Sequence, residues 1–243
     1  RLGETTDTQD ATGTVLLRSP IESLSEARIR EVVAGFEGRI QQLPPMYSAV
    51  KVGGVPLYKA ARAGREVSRQ VREVTVFRLD IVDVQIPEVT LRVVCSKGTY
   101  IRTLCADIGD KLGVGGHMAT LVRERVGPLT LEQALTVDEV ESRLEQGTLA
   151  ASMLTLDQAL VGLPVCIVGA STAGRVLHGM PVPASEVLAW HGLSSSLSEG
   201  ANRAIRIKDG AGRLLAIGTM PDGMNAEAPG ANAQSIAVSK VLV

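Results

Sequence analysis

The sequence predicts an α+β fold: a mixed, mainly antiparallel sheet with helices, followed by a small β-rich C-terminal unit. Three observations carry this. Two β-rich runs, Val71 to Val84 and Val89 to Cys95, are joined only by Gln85-Ile86-Pro87-Glu88. That link is far short of the dozen or so residues a parallel crossover needs. Helical patterns at Glu26 to Phe36 and Thr99 to Leu112 interrupt the strands without the regular βαβ alternation of a parallel sheet. Beyond Gly127-Pro128 the texture changes, and short strand-like runs return from about Val165. The expected domains are 1–163 and 164–243.

Taken in order, Thr5 to Gly13 is turn-forming, and the β run Thr14 to Leu17 after it suggests a hairpin arm. Ser25 is an N-cap for the first helix, whose stripe is Ile29, Val32, Val33 and Phe36, with Gly38 as its stop. Pro44-Pro45 holds the chain extended, so Met46 to Val52 reads as a strand closed by Gly53-Gly54. A short helix over Leu57 to Ala63 follows, ended by Gly64. Thr99 is expected to cap the helix carrying Ile101, Leu104, Cys105 and Ile108; Gly113 to Gly116 reads as a flexible turn and His117 to Val126 as a strand. Thr136-Val137-Asp138-Glu139 is a capping box for a helix ending near Gly147. The last part gives a strand at Cys166 to Val168, a helix from Ser171 to His178 and a hairpin of Arg203 to Lys208 with Arg213 to Thr219. A final strand spans Ser235 to Val243, and loops are expected at Gly192 to Gly200 and Pro221 to Gly230.

With 45% apolar and 21% charged residues, the 243-residue chain can bury a core. No apolar run approaches the roughly 20 residues of a membrane span. The first residue is Arg, and the chain opens directly into a Thr/Asp-rich motif, which reads as a fragment edge. Cys95, Cys105 and Cys166 lack ligand or disulfide spacing and suit buried thiols in the cytoplasm. The net charge of −1 hides an asymmetry: residues 1–130 hold 18 Lys/Arg against 15 Asp/Glu, whereas 131–243 hold 7 against 11. Between Lys51 and Arg72, six cations (Lys51, Lys59, Arg62, Arg65, Arg69 and Arg72) face only Glu66. Such a run is most often a solvated face. Tyr47 and Tyr58 beside it tilt the balance towards an RNA surface, because tyrosine can stack on a base or donate to a backbone.

Standard catalytic constellations are not evident. His117, His178 and His191 stand far apart and read as structural. Asp107 and Asp110, three apart on a helix, read as solvent-facing. The strongest local signal is Cys95-Ser96-Lys97-Gly98-Thr99-Tyr100-Ile101-Arg102. There a strand ends, Gly98 allows a sharp turn, and Tyr100 and Arg102 enter the first turn of a helix. Free N–H groups at such a junction suit an anion, and a guanidinium can hold a carboxylate in fixed orientation.

Four ordered blocks then resemble one family. Arg1-Leu2-Gly3, Thr6-Asp7-Thr8, Asp10 and Gly13 match the RLGxxTDTxDxxG stretch of the TruB pseudouridine synthases. Met46-Tyr47-Ser48-Ala49-Val50-Lys51, with Gly54, Leu57-Tyr58, Ala61-Arg62 and Gly64, is similar to their PxMYSAxKxxGxxLYxxARxG block. CSKGTYIR is the third. Gly115-Gly116-His117 with Leu121-Val122-Arg123 is similar to the fourth, GxHxxxLRR, departing where Val122 replaces the first arginine.

The resemblance implies a pseudouridine synthase-like core, a C-terminal PUA-like RNA-binding domain, and isomerisation of uridine 55 in the tRNA T-loop without metal or nucleotide cofactor. By family position, Tyr100 and Leu121 would contact the nucleotide, and Arg102 would pair with the nucleophilic aspartate. Lys51, Lys59, Arg62, Arg65, Lys97 and Arg123 would meet the tRNA backbone. The family's nucleophile lies in a Gly-Ala-Leu-Asp-Pro-type motif, and no Leu-Asp-Pro occurs here. Asp7 and Asp10 are better explained as turn-stabilising. This chain alone is therefore expected to be inactive and its longer parent active, most simply as a monomer. The rival expectation is a non-catalytic tRNA-binding or tRNA-folding protein.

Overall fold

A computed structural model of the chain describes residues 1–65, 67–192, 203–221 and 234–242. It divides into two compact units, Arg1–Val122 and Arg123–Val243. Among the described residues no helix is long and apolar enough to cross a membrane.

In the first unit, β1 (Glu4–Thr6) and β2 (Val15–Arg18) pair antiparallel as the expected hairpin. Asp7 and Asp10 tie its turn: Asp7 Oδ1 accepts from the Thr14 N–H at 2.8 Å, and Asp10 Oδ1 accepts from the N–H and hydroxyl of Thr12. A Cβ at Gly13 would run into the side chains of Thr8 and Asp7, so only glycine closes this loop. Helix α1 (Glu26–Ala34) starts where Ser25 accepts from the Arg28 N–H, and it stops at Gly35, short of the expected Phe36. Strand β3 (Gly38–Gln42), not foreseen from sequence, pairs with β6 (Arg72–Gln85), which pairs with β7 (Glu88–Cys95). The sheet order is β3-β6-β7, antiparallel throughout.

Met46 to Val52 is strand only at β4 (Lys51–Val52), which turns through Gly53-Gly54 into β5 (Val55–Pro56) and then α2 (Leu57–Arg62). Helix α3 (Ile101–Leu112) packs against α1 and the sheet around fully buried Ile29 and Leu104, with Val76 and Ile108 in the same cluster. Its N-cap is Tyr100, not Thr99; the Thr99 hydroxyl instead donates to the Ser96 carbonyl at 2.9 Å. The Gly113 to Gly116 turn is close-packed rather than flexible. Gly109 lies so near the backbone of Gly115 and Gly116 that a Cβ there would collide with both, and its carbonyl accepts from the N–H groups of Val114 and Gly115. Of the strand expected at His117 to Val126 only Arg125–Val126 forms; ahead of it stand isolated bridges, Leu2 with Gly116 and Asp10 with Met118.

The second unit opens with β8 (Arg125–Val126) paired to β9 (Leu129–Thr130), then α4 (Val137–Glu145) behind its capping box and the short α5 (Leu156–Ala159). A six-stranded sheet follows, built from β10 (Val165–Val168), β11 (Val182–Pro183), β12 (Val187–His191), β13 (Ala204–Asp209), β14 (Leu214–Thr219) and β15 (Ser235–Val241). Its order is β11-β15-β14-β13-β10-β12, and α6 (Ala170–Leu177) packs on it. The core gathers Cys166, Val176, Ile205, Ile207, Leu215 and Ile236. Arg206 reaches back along the chain: its guanidinium donates to Asp157 Oδ1 at 2.8 Å and to the carbonyls of Asp157, Val161 and Leu163. This pins the 156–163 segment to β13. The loops expected at Gly192 to Gly200 and Pro221 to Gly230 lie largely outside the described residues.

Candidate functional site

The strand-to-helix junction singled out by the sequence is the best-anchored polar feature of the first unit. Strand β7 ends at Cys95, Gly98 takes a left-handed φ of 85°, and α3 begins at Ile101. Beneath the junction sits Gln42, the last residue of β3 and 1% exposed. Its Oε1 accepts from the Tyr100 N–H at 3.0 Å, and its Nε2 donates to the Tyr100 carbonyl at 3.2 Å. The side-chain amide thus replaces a strand neighbour and fixes the backbone from which Tyr100 and Arg102 project. Satisfying a buried amide on both atoms is what makes its burial affordable.

A second tie lies one turn along. The Thr103 hydroxyl donates to Gln9 Oε1 at 2.8 Å, and the Gln9 carbonyl accepts from the Met118 N–H at 3.1 Å. Gln9 holds φ at 60°, a left-handed conformation rare for a non-glycine residue. It therefore links α3 to the segment that leads to Leu121. Neither Gln9 nor Gln42 was singled out from sequence. Each is an ordinary glutamine outside any recognisable motif, and only the distant partner gives it meaning.

Tyr100 and Arg102 are half-buried, and no described carboxylate pairs with Arg102. Leu121 is 49% exposed, as are several other leucines of the chain, and no hydrogen bond or strand pairing joins it directly to Tyr100 or Arg102. Lys51, Lys59, Arg62, Arg65 and Lys97 are exposed on the first unit, and Arg123 is exposed on the second. The Arg62 guanidinium lies over the Tyr58 ring, 5.6 Å from its centre. None of these six cations forms an ion pair with a described residue. The expected solvent-facing role of Asp107 needs correction: it is half-buried, and burial first, then the nearby Asp110 carboxylate, push its carboxyl up to about 6.

His117 is buried, with Nδ1 3.2 Å from the Glu4 carbonyl, a structural placement. The three cysteines are free thiols, but only Cys166 is fully buried; Cys95 and Cys105 are half-buried. Burial pushes the Cys105 thiol up to about 11, which keeps it protonated and unreactive at neutral pH.

Comparison with known proteins identifies the family. Residues 1–101 match the model of the TruB family pseudouridylate synthase N-terminal domain, and residues 102–161 match that of the tRNA pseudouridylate synthase B C-terminal domain. The tRNA pseudouridine synthase B of Burkholderia mallei is 43% identical, over 92% of this chain and 72% of its own length. That of Geobacter sulfurreducens is 41% identical, over 86% of this chain and 68% of its own. Among solved structures, a chain of a Cbf5-Nop10-Gar1 complex superposes with a TM-score of 0.71 at 26% identity, covering 90% of this chain. The present chain spans 62% of that one. A chain of an H/ACA RNP bound to a substrate RNA shares the fold, with a TM-score of 0.69 at 22% identity. The ordered motifs, the junction they form and these relatives together place the chain in the TruB family of pseudouridylate synthases.

Proposed function

We propose that this chain is the main part of a tRNA pseudouridine synthase acting on uridine 55 in the T-loop. In the reaction the bond from ribose to N1 is cut and the base is rejoined through C5, and the target base must first leave its stack to be reached. Tyr100 and Leu121 border that base. Arg102 pairs with the nucleophilic aspartate, which lies outside these 243 residues; the guanidinium keeps the carboxylate ionised and aimed at the sugar. Lys51, Lys59, Arg62, Arg65, Lys97 and Arg123 neutralise phosphates of the T-arm. Residues 1–163 form the catalytic part, and residues 164–243 form a PUA-like RNA-binding module. The protein acts as a cytoplasmic monomer.

The observation that carries this reading is the double hydrogen bond between the buried Gln42 amide and the Tyr100 backbone, which pre-orients the two residues that the chemistry needs. A direct test assays pseudouridine at position 55 of an unmodified tRNA transcript. The chain alone should form none, and the chain joined to an upstream Gly-Ala-Leu-Asp-Pro-bearing segment should form it. Turnover by the chain alone would overturn the placement of the nucleophile. Binding without turnover by the extended protein would leave the tRNA-folding reading in its place.

A further inference from the structure

A cavity of about 290 Å³ lies at the base of the β4–β5 hairpin, and neither Tyr100 nor Arg102 is in its lining. Its apolar wall is Val50, Val52 and Leu57; its polar wall carries Lys51, Arg69 and Arg72, and among the described residues no carboxylate lines it. Arg69 is anchored there, because Nη1 donates to the Pro44 carbonyl at 3.0 Å. Lys51 and Arg72 form no ion pair with a described residue, although Glu73 beside Arg72 pairs with Arg39.

Three cations gathered on one cavity, with no described carboxylate in its lining, favour an anion there. The aliphatic wall opposite them is wasted on a bare phosphate, and the volume is close to the roughly 300 Å³ at which small-molecule pockets begin. The ligand that matches both walls has a phosphate and a flat apolar body. Lys59, Arg62 and Arg65 extend the positive surface beyond the cavity, which favours a polyanion over a free metabolite. We infer that this cavity takes one unstacked nucleotide of the bound tRNA, its phosphate held by Lys51 and Arg72 and its base laid on Val50, Val52 and Leu57. The inference rests on the tRNA reading above, and Gln70, also in the lining, supplies an amide for the base edge.

The test measures the affinity of this chain for an unmodified tRNA transcript across a salt series. Lys51→Ala/Arg72→Ala should weaken binding and reduce the slope of log Kd against log salt by about one unit, the loss of one phosphate contact. Val52→Trp changes no charge but fills the cavity; it should weaken binding about fivefold or more by excluding the base. Val52→Met serves the same purpose should the larger ring loosen the hairpin, and Arg28→Ala on α1 is the control that should bind as wild type. If the filling variants bind like wild type while the charge variant is weakened, the cations act only as an open surface and the nucleotide site is overturned. Wild-type affinity in both classes overturns it equally. Failure of the unaltered chain to bind tRNA would be a different result, removing the functional reading and this site together.

Discussion

The sheet region of the second unit and the Lys51 to Arg72 segment of the first use cationic side chains in opposite ways. In the second unit nearly every Lys and Arg of the sheet region has a partner. Arg206 and Lys208 share Asp157, Arg213 bonds Asp209, and Arg175 bonds Glu186. In the first unit the cations on α1 are paired with glutamates, but those between Lys51 and Arg72 form no ion pair with a described residue. A net charge near zero therefore conceals two populations, one spent on the fold and one left for a ligand.

The sharpest way to break this contrast is to remove a cation said to be structural. Arg206 is 8% exposed and serves four acceptors, so Arg206→Ala takes the donor from the Val161 and Leu163 carbonyls and from one oxygen of the Asp157 carboxylate, while the Asp157 carbonyl keeps the Leu160 N–H. We expect the second unit to lose about 3 kcal/mol. The single tryptophan, Trp190 on β12, reports that unit, so a urea titration followed by its fluorescence measures the loss directly. A shift smaller than about 1 kcal/mol would mean that water replaces the guanidinium at little cost, and the division into spent and available charge would fail.

Next in size is the amide beneath the junction. Gln42→Ala leaves the Tyr100 carbonyl with the Leu104 N–H but deprives the Tyr100 N–H of its acceptor. The expected cost is about 1–3 kcal/mol in the first unit, whose three tyrosines give a fluorescence signal separate from Trp190. Gln42→Glu keeps the acceptor and loses the donor, so it should recover part of that stability. Equal losses in the two variants would show that Gln42 matters for packing alone.

How much of this was legible in the sequence depends on the range of the interaction that decides each element. The β6–β7 hairpin, α3 and the capping box of α4 are set by residues within a few positions of one another, and each forms near its expected bounds. Strand β3 is different. Gly-Arg-Ile-Gln-Gln has no strong alternation, and it becomes a strand because β6 pairs with it and Tyr100, 58 residues on, completes Gln42. The same holds for Gly113 to Gly116: glycine-rich sequence reads as freedom, whereas here glycine permits a close backbone contact with Gly109. In the candidate site, the strand-to-helix junction that carries Tyr100 and Arg102 was legible; the supports beneath it, Gln9, Gln42 and Thr103, were not.

The smallest expected effect concerns two carboxylates with opposite pH behaviour. In the second unit the Lys208 ammonium, hydrogen-bonded to Asp157 with Arg206 beside it, holds that carboxyl below its ordinary value of 3.8. Its stabilising contribution is present above 3.8 and is lost as pH falls through the lowered native value. In the first unit Asp107 is pushed up from 3.8 to about 6 by burial and by Asp110. The native state then binds the proton more tightly than the unfolded chain, so the sign reverses: the first unit gains stability as pH falls from about 6 towards 3.8 and carries the cost of an ionised, half-buried carboxylate above that window. Solvent screening at this partly open position reduces the effect to about 1 kcal/mol. Asp107→Asn should therefore melt a few degrees higher than wild type at pH 7.5 and at the same temperature near pH 4, read by tyrosine fluorescence. Parallel melting curves across that range would mean the carboxyl is relaxed at neutral pH. The contrast between charges paired within the fold and charges left unpaired would then be confined to the cations.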